Sequence, residues 1–151
     1  MQLRNIRICV GRKLIGEFKK EAKAVFPRET FAYLLGRDAG TVVEIEELFF
    51  PPDVNDYCSE NSVTIGEDWL YSAKEHAKES SLSVVGDIHS HPYRHRDIGR
   101  LKPDCAPSAQ DMDCGIPHIS AICQVRERRD GSLISSVRFW GPMFPVSEEI
   151  S

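Results

Sequence analysis

Apolar positions along this chain follow two rhythms. Leu14, Ile15, Phe18, Ala22, Val25 and Phe26 recur at helical spacing and predict an amphipathic helix over about 12–26, ended by Pro27. Trp69, Leu70, Ala73 and Ala77 predict a second helix over 67–80. Short runs rich in Val, Ile and Phe read as strands at 4–10, 41–50, 62–65, 83–91, 118–125 and 133–140. The last two are joined by a hairpin turn at Asp130-Gly131. The run 29–35, closed by Gly36, reads as a buried strand or a short helix. Residues 51–56 and 92–107 read as loops, 108–114 as a short helix, and the Pro-containing stretch 141–151 as a frayed tail. The sum is an α+β fold, a mixed or mostly antiparallel sheet with two main helices, in one domain over 1–151.

Composition narrows the functional classes. A chain that is 41% hydrophobic and 28% charged has the make-up of a folded globular protein rather than a disordered one. The net charge of -4 gives no basic footprint for nucleic acid, and the local group Arg94, Arg96, Arg100 and Lys102 reads as a solvated loop. No apolar run reaches the ~18 residues of a membrane span, and the first ten residues lack the apolar stretch of a signal peptide. Five scattered cysteines, with no C-x-x-C pair, argue against a disulfide framework and for a reducing cytoplasm.

The chemistry concentrates in Gly86-Asp-Ile-His-Ser-His91. Residues i and i+2 of a strand share a face, so His89 and His91 would project side by side from its end. Two imidazoles so placed suit one divalent ion, with zinc the usual candidate. A catalytic zinc wants a third protein ligand and an open position. Ser108-Ala-Gln-Asp111 offers one: Asp111 falls in the first turn of the short helix, where its carboxylate can face the site. The same four residues also read as a simple capping start, and the two readings stay open on spacing alone. Asp87 shares the His face and gives Asp-x-His-x-His as another chelate, while Asp97 and Asp104 are further carboxylates after the pair. Cys105 and Cys114 could supply thiolates but read as small apolar residues. His95 reads as an exposed loop residue, His118 as a strand start, His76 as a helix surface position.

His89-Ser-His91-Pro92 followed by Ser108-x-x-Asp111 resembles the JAMM (MPN+) zinc metalloprotease signature, an upstream Glu, His-Ser/Thr-His and Ser-x-x-Asp. Pro27-Arg-Glu29, ahead of an apolar run ending in Gly36, matches the context of that upstream Glu. Leu48-Phe-Phe-Pro51, Asn55, Val63-Thr-Ile65 and Pro117-His118-Ile119 are also similar to family segments, so the likeness spans about 5–140. The resemblance implies that His89, His91 and Asp111 bind Zn2+, that Glu29 is the general acid/base, and that Ser108 helps hold the oxyanion. It implies an MPN/JAB-type mixed sheet flanked by helices, with a cytidine-deaminase-like architecture. The zinc deaminase signature itself, His-x-Glu with Pro-Cys-x-x-Cys, is absent. The implied activity is isopeptidase or peptidase action on a ubiquitin-like protein or conjugate. Sulfur-carrier and cell-wall peptides are alternative substrates, and an inactive MPN-type scaffold is the non-enzymatic alternative. One departure stands out: sixteen residues, 92–107, separate His91 from Ser108 where the signature has seven.

Overall fold

The computed structural model describes residues 6–97, 119–141 and 146–151. In order these form β1 (Ile6–Val10), α1 (Arg12–Ala24), β2 (Phe31–Asp38), β3 (Val42–Phe49), α2 (Trp69–Glu79), β4 (Ser83–Tyr93), β5 (Ile119–Glu127), β6 (Leu133–Trp140) and β7 (Val146–Ile150). Single 3-10 turns occur at Val54–Tyr57 and His95–Asp97. The strands make one mixed sheet in the order β6-β5-β4-β2-β3-β1-β7. Pairs β4/β5, β1/β3 and β1/β7 are parallel and the others antiparallel. The sheet is curled, and its two edge strands β6 and β7 come into contact.

Each helix covers one face. The inward stripe of α1, Ile15, Phe18 and Ala22, packs on Ile8, Val10, Leu34, Ile88, Ala121 and Val125 in the larger core. Phe18 is fully buried, which stabilises the fold by about 1.5–3 kcal/mol. On the opposite face α2 brings Trp69, Ala73 and Ala77 onto Phe31, Tyr33 and Leu35. Phe31 stacks on Trp69 at 5.6 Å, and Trp69 Nε1 donates to Asp53 Oδ1 at 2.8 Å. β2 therefore lies between both layers, and six consecutive residues, Phe31 to Gly36, are buried. A strand covered on both faces shows no polar alternation, which is why strand and helix could not be told apart at 29–35.

Two other expectations change. Residues 62–65 form no named strand; only Val63 bridges Cys58. The tail expected to fray instead carries β7, paired with β1 from Ile6↔Val146 to Val10↔Ile150. Ser151 N donates to Val10 O at 3.1 Å and Arg12 N to Ser151 O at 2.7 Å, so backbone bonding holds it where sequence pattern gave no signal.

Close backbone approach fixes β4 against β5. A Cβ at Gly86 would lie 2.0 Å from Ile119 O. The obstructing atoms are backbone and cannot swing aside, so Gly86→Ala is expected to destabilise by about 3 kcal/mol, the upper part of the usual overpacking range. Urea unfolding against the parent chain measures it; an unchanged midpoint would contradict this packing.

Candidate metal centre

The site lies where β4 and β2 run side by side in the middle of the sheet. Phe31 pairs with His89, so Glu29, two residues before Phe31, falls on the same face and opposite His91. The register continues past the end of β2: Ser90 N donates to Thr30 O at 3.1 Å. Thr30 N in turn donates to the Ser90 hydroxyl at 2.9 Å. Ser90 points away from the site, towards the α1 side, and is fully buried. It thus ties the segment carrying Glu29 to the strand carrying both histidines. Glu29 N donates to Ser59 O at 2.7 Å, which pins that segment from the other side.

These constraints bring one carboxylate and two imidazoles together. Ligand atoms of Glu29, His89 and His91 lie within 4.8 Å of one another. Glu29 and His89 are each 6% exposed, and His91 is half-buried. His89 Nε2 and His91 Nε2 are 3.1 Å apart. Two nitrogens bound at zinc distances in a tetrahedral shell sit about 3.3–3.4 Å apart, so the pair is set for one small divalent ion with little adjustment. The donor set, imidazole nitrogen plus carboxylate oxygen, is one that zinc accepts. The geometry is compatible with Glu29 as a ligand or as a base beside the ion.

The surrounding wall is polar and partly charged. Burial first, and the Glu29 charge second, push the Cys58 thiol up to about 11, with Arg28 opposing. Cys58 therefore offers no thiolate at neutral pH. Arg94, just past β4, pairs with Glu60, and that bond is the main cause holding the Glu60 carboxyl below its usual range. The pair links the 57–63 segment to the end of the histidine strand.

Of the other residues singled out, Ser108 and Asp111 lie outside the described residues, as do Asp104, Cys105, Cys114 and His118. Asp87 is fully buried on the His face but is not part of the converging group. His95 opens the 3-10 turn after β4, and its amide donates to Glu127 Oε1 at 3.0 Å. His76 is less of a surface residue than its neighbours implied: its Nε2 meets Glu47 Oε1 at 2.6 Å and its ring tilts against Phe49. Sequence reasoning passed over Ser90, whose signal was its place between the two histidines, facing the other way. Removing its hydroxyl leaves the buried Thr30 amide without an acceptor. Ser90→Ala should cost about 1–3 kcal/mol of stability, read by urea unfolding.

Solved structures with the same fold include a protein from Desulfitobacterium hafniense at 17% identity (TM-score 0.59, 95% of this chain and 94% of that chain covered). A JAB1/MPN domain protein from Archaeoglobus fulgidus is similar at 22% identity (TM-score 0.51, 93% and 96% covered). A protein from Salinibacter ruber is similar at 21% identity (TM-score 0.56, 87% and 80% covered). No curated protein matches the chain. The family model for prokaryotic homologs of the JAB domain matches residues 11–114, a stretch that carries Glu29, His89 and His91. With the mixed sheet, the two helices and that match over most of its length, the chain belongs to the prokaryotic JAB-domain family.

Proposed function

We propose that this protein is a zinc-dependent hydrolase of amide or isopeptide bonds that removes or trims a ubiquitin-like protein. The observation that carries this reading is the convergence of Glu29, His89 and His91 on one face of the sheet in a JAB-domain chain. His89 and His91 would hold the ion, with Asp111 as the third ligand by resemblance. When bound, zinc supplies Lewis acidity that brings the pKa of water down towards ~7.

The chain's own residues account for the proton traffic. The Glu29 carboxylate faces His91 and is placed to take a proton from the attacking water and deliver it to the departing amine. Its burial shields the carboxylate from bulk solvent. Ser108, by resemblance, donates its hydroxyl hydrogen to the oxygen of the tetrahedral intermediate. The Thr30–Ser90 bond keeps the base in register with the two imidazoles throughout.

Incubating the zinc-loaded chain with fusions of ubiquitin-like proteins, with and without chelator, tests this by intact mass. The expected result is one cleaved amide, with the mass of one water added across the products. Chelator should stop cleavage, and added zinc should restore it. Cleavage indifferent to chelator, or none with any fusion, would overturn the proposal.

A further inference from the structure

Beyond the two imidazoles, the same face of the sheet continues onto β5 and β6 and becomes cationic. Tyr93 pairs with Arg126, so Arg126 lies one strand over and one side-chain repeat beyond His91, about 8 Å away between Cα positions. His89 pairs with Ile122, and Ile122 with Arg138, which sets Arg138 level with His89 two strands away. The odd positions of β5, Ile119, Ala121, Cys123 and Val125, belong to the core under α1, so the even ones face the site side. Arg126 and Arg138 are both exposed. The Arg138 guanidinium lies 5.1 Å from the Trp140 ring centre, a stacking that orders it without neutralising it.

At the hairpin end the cations frame a hollow. His95, Arg126, Glu127, Arg128, Arg129 and Ile134 line a half-open cavity of about 330 Å³. None of Arg126, Arg128, Arg129 and Arg138 forms an ion pair with a described residue. Two acids at this end already accept hydrogen bonds: Glu127 from the His95 amide, and Asp130 from Ser132 N at 2.9 Å and Ser132 Oγ at 2.6 Å. Arg126, Arg128 and Arg129 thus gather at the hairpin end and Arg138 stands apart from them, level with His89, none of the four with a carboxylate partner among the described residues, in a chain whose net charge is -4. Ile134, 43% exposed, adds an apolar side chain to the lining, which suits a polypeptide better than a phosphate backbone.

We propose that this face docks acidic residues of the substrate polypeptide close to the scissile bond, so that the enzyme selects sequences bearing Asp or Glu there. The proposal rests on the hydrolase reading above. An extended chain advances about 3.3 Å per residue, so a carboxylate two to four residues from a bond held at Glu29 and the histidines reaches Arg126 or Arg138. Guanidiniums in such an array recognise carboxylates with paired hydrogen bonds, and they hasten encounter as well as hold the complex.

Fluorescence anisotropy tests it, with the full chain and three labelled probes: a Glu-Ser repeat peptide, the matching Gln-Ser peptide and single-stranded oligouridine. The acidic peptide should bind best, and Arg126→Glu with Arg138→Glu should weaken it about tenfold or more. Arg128→Glu with Arg129→Glu, on the hairpin end where packing is slight, provides a second variant. Lys13→Glu with Lys20→Glu, on exposed positions of α1 across the sheet, makes the same change in net charge and should alter binding less than about twofold. Equal binding of the Gln-Ser peptide, preference for oligouridine, or equal weakening by the α1 pair would overturn the proposal. Binding needs no turnover, so the two readings fail separately. Peptide capture without any cleavage defeats only the hydrolase, and cleavage indifferent to Arg126 and Arg138 defeats only the docking face.

Discussion

Glu29→Gln should lower turnover by about 10²–10⁴ while leaving the zinc content of the purified chain unchanged. Gln is nearly isosteric with Glu, so the packing of a residue that is 6% exposed is preserved, and its backbone bond to Ser59 is untouched. What disappears is the capacity to take up and return a proton. The substitution also separates two roles that the geometry alone allows, because Glu29 lies within ligand distance of the same centre as His89 and His91. Loss of zinc together with turnover would make Glu29 a ligand. Full turnover with zinc retained would remove it from the mechanism. Rates by intact mass and zinc by elemental analysis on the same preparations decide among these outcomes.

The second large effect concerns the imidazoles. His89→Ala and His91→Ala each remove one of two nitrogens that stand 3.1 Å apart, and zinc content should fall from about one per chain towards zero. A ligand that binds only the folded state stabilises it by about 2.7 kcal/mol at a hundred times its Kd. For a chain of this size that corresponds to a rise in Tm of roughly 5–10 °C. Added zinc should produce that rise in the parent chain and none in either variant. A rise of equal size in both variants would place the ion elsewhere. His89 is the more buried of the two, so its alanine variant should also lose more stability when zinc is absent.

How much of this was legible in the sequence differs from element to element. Both helices were, because each buries one stripe and exposes the rest. The histidine pair was, because a strand's two-residue repeat puts His89 and His91 on one face whatever their neighbours do. The position of Glu29 was reachable only through family resemblance, since its approach to His91 depends on an antiparallel register between segments sixty residues apart in sequence. β7 left no trace, because its hydrogen bonds go to β1 at the opposite end of the chain and its sequence carries no strong alternation. The arginine face was hidden for the same reason. Arg126 and Arg138 sit on different strands, and nothing in their spacing tells that Ile122 brings Arg138 level with His89. Arg94 had the opposite fate: grouped by sequence with a solvated basic loop, it is committed to Glu60.

The seam between β2 and β4 has a final consequence. Because strand side chains alternate, slippage of β4 by a single position would turn both imidazoles into the hydrocarbon interior and bring Ser90 out to meet the substrate. Chemistry in this molecule is therefore all-or-none with respect to alignment. The irregularity between Leu34 and Leu35 marks the alignment of β2 with β4, and the tight backbone contact of Gly86 with Ile119 holds β4 in place from the β5 side.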